Sequence, residues 1–185
     1  TLFQKQRSIL LKELENSHII LLVLDSTIGI TSEDLLLSKQ CLKYKKKIIL
    51  LFNKFDKKNA FQNYQEGWSL GVGKPLPISA SHGDGITDLL NEINTLSSPS
   101  YQKNQIDQIE DLSEQIKFAI IGQPNTGKST LVNKLLGYER MLTGPQKGIT
   151  HDSIKNNFKY KGDEFCIVDT AGIRRKTKIN EPLEK

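Results

Sequence analysis

The run Gly122-Gln-Pro-Asn-Thr-Gly-Lys-Ser129 constrains this chain more than any other feature. It matches G-x-x-x-x-G-K-[ST] in full. It follows an apolar strand pattern, Ile116-Lys-Phe-Ala-Ile-Ile121, and opens a helical pattern from Ser129 to Leu136 that Gly137 is expected to stop. Such a loop turns its backbone N–H groups inward around phosphates, and the helix N-terminus behind it adds positive potential. A strand must deliver the loop and a helix must back it, which commits the neighbouring chain to an α/β fold. Within the loop, Gly122, Asn125, Thr126, Gly127 and Thr130 are candidate nucleotide contacts. Lys128 is expected at the β- and γ-phosphates, and Ser129 is expected to hold Mg²⁺.

The rest of the chain alternates in the same way. Leu and Ile at 2, 9, 10, 11 and 14 predict an amphipathic helix over residues 2–15. Ile19-Ile-Leu-Leu-Val-Leu24 and Ile48-Ile-Leu-Leu-Phe52 are unbroken apolar runs, as parallel strands buried on both faces require. Thr31-Ser-Glu-Asp34 offers an N-cap for a helix to about Tyr44. A short helix near 59–66, a strand at Leu76-Pro-Ile78 and a helix from Gly85 to Leu96 follow. Residues 97–114 are polar and read as a linker. Beyond the phosphate loop, 140–152 have loop composition, and strands are predicted at roughly 153–160 and 164–168. The pattern predicts a doubly wound, mostly parallel sheet with ligand loops at the strands' carboxyl ends.

A second motif names the base. Asn53-Lys-Phe-Asp56 follows a buried strand, and Ser79-Ala-Ser81 follows the next one. A carboxylate at Asp56 can accept from guanine N1–H and the exocyclic amine together, whereas adenine offers no such pair of donors. Asn53 is expected on the base's other edge, the Lys54 stem across the ring, and the Ala80 N–H at guanine O6, with Ser79 beside it. Asp169, in Asp-Thr-Ala-Gly172, stands where a carboxylate would hold Mg²⁺ through its water shell. Gly172 would let its N–H approach a γ-phosphate. Thr150 would complete the Mg²⁺ shell in the triphosphate state and release it after hydrolysis.

Catalytic chemistry is less explicit. Ile173 follows Gly172 and cannot orient a water. Asn125 has two readings: a seat for K⁺ that neutralises transition-state charge, or a stabiliser of the loop. Arg174 and Arg175 read as surface or effector-contact residues. His18, His82 and His151 form no ligand spacing with a Cys or an acid and read as structural or surface residues.

Composition places limits on the setting. The chain has 185 residues, with no apolar run near the length that spans a bilayer, and neither a membrane partner nor a signal peptide is expected. Cys41 and Cys166 make no framework; Cys166 is expected buried and reduced, which suits the cytoplasm. The net charge of +5 fits either a solvated lysine-rich surface or an RNA-containing partner.

These motifs together resemble the EngA/Der family, bacterial GTPases with two tandem G domains and a KH-like C-terminal domain. The resemblance is carried by Ile30-Thr-Ser-Glu-Asp34, Asn53-Lys-Phe-Asp56, Ser69-Leu-Gly-Val-Gly-Lys-Pro-Leu-Pro-Ile-Ser-Ala80, the phosphate loop to Leu131, and Asp169-Thr-Ala-Gly-Ile-Arg-Arg-Lys176. It implies P-loop G-domain folds: 1–96 as the latter half of a first G domain, 97–114 as linker, and 115–185 as the first half of a second. It further implies a monomeric GTP/GDP switch acting on the large ribosomal subunit and its RNA, and it strengthens the K⁺ reading of Asn125. One half of each domain's motif set is absent, so an internal fragment is the simplest expectation. The surviving motifs nevertheless make one complete set in permuted order. A circularly permuted ribosome-assembly GTPase and a non-hydrolysing ribosome-binding fragment are the alternatives, and the halves are expected either to pair in space or to belong apart.

Overall fold

A computed structural model of the chain describes residues 10–97, 116–143 and 157–168. Residues 10–16 are helical (α1). Then come β1 (Ile19–Asp25), α2 (Ser32–Leu42), β2 (Lys47–Asn53), α3 (Ala60–Tyr64) with a 3₁₀ turn over Gln65–Leu70, β3 (Pro75–Pro77) and α4 (Ile86–Ser97). β4 (Ile116–Ile121), α5 (Lys128–Thr143), β5 (Asn157–Tyr160) and β6 (Asp163–Ile167) complete the order.

All six strands lie in one sheet, ordered β3-β2-β1-β4-β6-β5. Every neighbouring pair is parallel except β5 with β6, a hairpin turned at Lys161-Gly162. The two motif-bearing stretches therefore meet at a seam. β1 pairs with β4 from Ile19↔Phe118 to Leu22↔Ile121, and the His18 N–H extends the ladder to the Lys117 carbonyl at 2.7 Å. His18 also accepts the Lys117 N–H on Nδ1 at 3.1 Å, a structural role in keeping with its expected one.

Strand alternation sorts the apolar residues into two cores. Ile19, Leu21 and Val23 face a layer made by α4 (Ile86, Leu89, Leu90, Ile93) and α5 (Leu131, Val132, Leu135). Ile20, Leu22 and Leu24 face the other layer, with Leu14 of α1 and Cys41 of α2. Both cores run across the seam: the first also takes Phe118, Phe158 and Phe165, and the second takes Ala119 and Ile121. Above the first core, the Tyr160 hydroxyl and the Lys161 ammonium both donate to Asn91 Oδ1 on α4 at 2.8 Å.

α2 starts as its sequence predicts. Thr31 is the N-cap, and a reciprocal capping box joins its side chain and backbone to Asp34. Lys46 closes the far end of α1 by donating to the Leu14, Glu15 and Ser17 carbonyls at 2.5 to 2.6 Å. Those carbonyls have no partner within the helix, and the ammonium also suits the negative end of its dipole.

Two expectations need correction. α5 runs through Gly137 to Thr143 instead of stopping there. One helical glycine costs only about 1 kcal/mol, and Tyr-Glu-Arg-Met-Leu beyond it are adequate to good helix formers. Cys166 is half-buried rather than buried, while Cys41 is the enclosed cysteine, its thiol pushed up to about 11 by burial. The short helix expected near 59–66 is present as α3 and continues as a 3₁₀ turn to Leu70. Residues 2–9 of the first predicted helix, 98–114 of the linker and 153–156 of the predicted strand lie outside the described residues, while Ser97 ends α4. Among those described, no helix is long and apolar enough to cross a membrane.

Phe118 tests whether the seam belongs to one cooperative unit. Its ring is fully buried and packs edge-to-face on Phe158 with centroids 5.7 Å apart. Phe118→Ala should destabilise the chain by roughly 3–5 kcal/mol. In denaturant unfolding, fluorescence of Trp68 and far-UV circular dichroism should shift together in one transition, although Trp68 lies in the other stretch.

Candidate nucleotide site

From β1 the chain passes outward to β2 and β3, and from β4 it passes to the other side, where the β5–β6 hairpin lies with β6 against β4. The order reverses between β1 and β4, and the crevice at the carboxyl ends of such strands is where doubly wound sheets bind ligands. Asp25 ends β1, Asn53 ends β2, Ser79 follows β3 and Gly122 follows β4. Both motifs thus arrive at one edge of one sheet.

Asn53 fastens them together. Its side chain is buried; Nδ2 donates to the Thr126 carbonyl at 2.7 Å and Oδ1 accepts the Ala80 N–H at 2.9 Å. A single amide thereby bridges the phosphate loop and the Ser-Ala-Ser loop. In this structure the Ala80 N–H and both polar ends of Asn53 engage protein atoms, and the amide keeps a second N–H and a second lone pair beyond these two contacts. The fit is close. A Cβ on Gly127, whose φ is +94°, would strike Asn53 Nδ2, and a Cβ on Gly122 would strike the Val23 carbonyl of β1. Glycine is required at both positions because a neighbouring element occupies the space a side chain would take.

The phosphate loop is internally braced. The Thr126 hydroxyl donates to the Gln123 carbonyl at 3.0 Å, and Lys128 Nζ also donates to that carbonyl. Gln123 reaches across the seam, its Nε2 donating to Thr31 Oγ1 at 2.5 Å. The segment that caps α2 is thereby tied to the loop. Asn125 is exposed and left-handed, with φ 67°, a conformation asparagine tolerates better than most residues. Ser129 and Thr130 occupy the first turn of α5. Thr150, Asp169 and Gly172, like Arg174, Arg175 and His151, lie outside the described residues.

At the base-reading end, Lys54 is held with φ 64°, and its ammonium meets Asp25 Oδ2 at 2.5 Å. Burial alone would raise the Asp25 carboxyl. Hydrogen bonds from Lys54 and from the Thr27 hydroxyl and N–H outweigh it and hold the group below its ordinary value. Asp56 Oδ1 accepts the Ser79 hydroxyl at 2.7 Å, and Oδ2 pairs with Lys57 at 2.9 Å. Those two contacts, Ser79 first, lower the Asp56 carboxyl to about 2, so it is an anion throughout the neutral range. His82 stands beside it, Nδ1 3.0 Å from Ser79 Oγ and 3.8 Å from Asp56 Oδ2.

Asp25, Thr31, Gln123 and His82 join the site although their sequence motifs do not mark them as nucleotide contacts. Asp25 carries the one local signal, an acid closing a buried apolar strand. The others take their place only through contacts outside their own motifs.

Residues 117–185 match the family described as "50S ribosome-binding GTPase". GTPase Der of Bartonella bacilliformis is 41% identical over 207 aligned positions, which cover 100% of this chain and 44% of that relative. GTPase Der of Thermoanaerobacter pseudethanolicus is 40% identical over 185 positions, covering 100% of the chain and 40% of the relative. That of Rhodopseudomonas palustris is 39% identical over 179 positions, covering 93% and 39%. Along its whole length the chain is similar to GTPases named Der. It spans less than half the length of the Der relatives it matches. The ribosome-binding GTPase match begins inside β4 and takes in the phosphate loop, whereas the base-reading stretch is covered by the Der relatives.

The acidity of Asp56 is open to direct measurement. A carboxyl NMR titration should place its midpoint near 2, and Ser79→Ala should move it up toward the ordinary 3.8. The sign follows from the lowered value: the ionised form favours the folded state above 3.8, and that contribution is lost as pH falls through about 2. An unchanged midpoint in Ser79→Ala would remove Ser79 as the cause.

Proposed function

We propose that the chain binds GTP and GDP with Mg²⁺ and hydrolyses GTP, as a monomeric cytoplasmic switch acting in assembly of the large ribosomal subunit. One observation carries the nucleotide part of this reading: the Asn53 amide links the base-reading loops to the Thr126 carbonyl of the phosphate loop. Asp56, anionic and oriented by Ser79, suits the two donors of guanine. The amide-lined loop and Lys128 suit phosphate oxygens. The ribosomal part rests on the relatives, whose matched family is described as ribosome-binding, and on the basic charge of the chain.

Ser129 supplies a hydroxyl at the first turn of α5, and Asp169 and Thr150 would complete an oxygen-donor set. Hard oxygen donors of that kind fit Mg²⁺. Bound there, Mg²⁺ would neutralise charge on the β- and γ-phosphate oxygens. Lys128 would neutralise charge on the same oxygens, and the loop N–H groups would fix the phosphate chain for in-line attack by water. The Gly172 N–H would register loss of the γ-phosphate. Asn125 is exposed at the loop's outer turn, and its side-chain oxygen would help to seat K⁺ over the phosphates.

Single-turnover assays with Mg²⁺ should show GTP converted to GDP, with a preference over ATP on the order of 10⁴, as expected where a site hydrogen-bonds its substrate specifically. Hydrolysis should run faster in KCl than in NaCl, and Asn125→Ala should abolish that difference. Equal rates in the two salts would remove the cation role. If fluorescent GDP fails to bind at micromolar concentrations, a ribosome-binding scaffold becomes the better reading.

A further inference from the structure

We propose that α3 and the 3₁₀ turn behind it form a docking surface for single-stranded RNA, with bases stacked on Phe61 and Trp68 and phosphates met by Lys58 and Lys74. This rests on the ribosomal part of the reading above and places an RNA contact on named residues outside the nucleotide site. Stacking needs exposed aromatic faces, and a sugar–phosphate backbone needs cations beside them. Residues 58–74 offer both.

α3 and the 3₁₀ turn follow each other as one short rod over residues 60–70, and its inner side is clamped. Ala60 and Leu70 are buried, and the Tyr64 ring lies edge-to-face on Phe52 and Phe55 with centroids 5.8 and 5.6 Å away. The Tyr64 hydroxyl donates to the Pro75 carbonyl at 2.7 Å. Gly67 lies so close to the Phe52 and Pro75 side chains that a Cβ would stand 2.7 Å from each. A second side of the rod meets the loop after β1, where Asn63 Nδ2 donates to the Ser26 carbonyl at 2.8 Å. Glu66, the one acid between Lys58 and Lys74, lies on that side too, its carboxylate 3.3 Å from where a Cβ on Gly29 would be.

What the rod turns to water is aromatic. Phe61 is 68% exposed and Trp68 55%, whereas the other exposed large apolar side chains among the described residues are the aliphatic Ile28, Leu35, Leu36 and Leu42. Two turns of helix separate the rings, a rise of roughly 12 Å, which suits a few unpaired nucleotides. One exposed aromatic is commonplace, but two on a clamped rod are already ordered for a flat partner. Lys58 precedes the rod and Lys74 follows it; both are exposed, and neither makes an ion pair among the described residues. Lys57, by contrast, is taken by Asp56 at 2.9 Å. Cations therefore flank two π-faces, and a polyanion with unpaired bases fits that order. A duplex keeps its base faces inside the stack and would meet only the lysines.

Trp68 is the only tryptophan of the chain, so its fluorescence reads the contact directly. With the wild-type chain, a single-stranded uridine oligonucleotide should quench Trp68 saturably, and the same strand annealed to its complement should not. Added salt should weaken binding with a log–log slope of about −1.4, as two phosphate contacts on a single strand require. Phe61→Ala should lower the affinity on the order of 10-fold, and Phe61→Leu as much, because leucine is apolar but has no π-face. Lys58→Glu combined with Lys74→Glu should remove most binding and flatten the salt dependence. These positions are at the surface, so the unfolding midpoint of each variant should match the wild type, and the wild-type comparisons need no variant at all. Unchanged Trp68 emission with the oligonucleotide, equal quenching by the duplex, or wild-type affinity in Phe61→Leu would each overturn the stacking surface. So would a Trp68 response to phosphatidylglycerol–phosphatidylcholine vesicles in place of RNA, which would mark a membrane contact instead. Co-sedimentation with large ribosomal subunits tests the underlying reading separately. Subunit binding with no quenching by the oligonucleotide overturns this surface alone, whereas quenching without subunit binding upholds the surface and removes the ribosomal reading.

Discussion

The pairing of β1 with β4 is the constraint on which the rest of the structure depends. β1 is buried along its whole length, with Ile19, Leu21 and Val23 in one core and Ile20, Leu22 and Leu24 in the other. A strand that is apolar on both faces cannot stand at a sheet edge without presenting unpaired backbone and apolar surface to water. β2 satisfies one side of β1 and β4 satisfies the other. β4 has the same need, with β1 on one side and β6 on the other. Once that pairing exists, α4 and α5 cover the same face, and their apolar residues merge into one core.

Function inherits its geometry from this seam. Because the strands are parallel, their carboxyl ends lie at one edge, and each end delivers a different chemical part. Asp56 and Asp25 gather negative charge where a base with donor groups would lie, although Lys54 partly balances Asp25. Lys128, the loop amides and the start of α5 gather positive potential where phosphates would lie. Among the described residues, left-handed non-glycine backbone occurs at Lys54 and Asn125 and also at Lys45 and Lys161, in turns outside the motifs. Non-glycine residues at positive φ cost on the order of 1–3 kcal/mol, and the first two sit in the two motifs. Lys54 is held there by its ion pair with Asp25 and by the hydrogen bond from Phe55 N–H to the Ile78 carbonyl at 3.1 Å.

Local features of this arrangement were legible in the sequence. The apolar runs at 19–24, 48–52 and 116–121, the Thr31–Asp34 cap and the phosphate loop each declare themselves within a few residues, because strand alternation, capping and loop chemistry are short-range. At Gly137 the local signal misleads, because a glycine's weak penalty reads as a stop while the helix continues to Thr143. The double use of Asn53 was not legible at all. Its motif marks it as a base contact, and only the three-dimensional neighbourhood shows that Thr126 and Ala80 take its amide. The Gln123–Thr31 bond is of the same kind, joining residues that no local pattern connects. The apolar neighbours of Cys166 suggest burial, but strand alternation turns it away from Phe165 and Ile167, which occupy the core.

The order of motifs along the chain matters less to this site than the seam does. What stabilises the sheet is burial and pairing, and both depend on which surfaces meet rather than on which loop joins them. Changing the connection between Ser97 and Ile116 alters the entropy of closing one loop, and doubling a loop's length costs only about 0.6 kcal/mol. Emptying a single buried position such as Phe118 costs several times as much. A connection long enough to reach is therefore a minor term beside the seam. The Asn-Lys-x-Asp stretch can precede the phosphate loop without loss to the fold, so long as β1 still pairs with β4 and Asn53 still reaches Thr126.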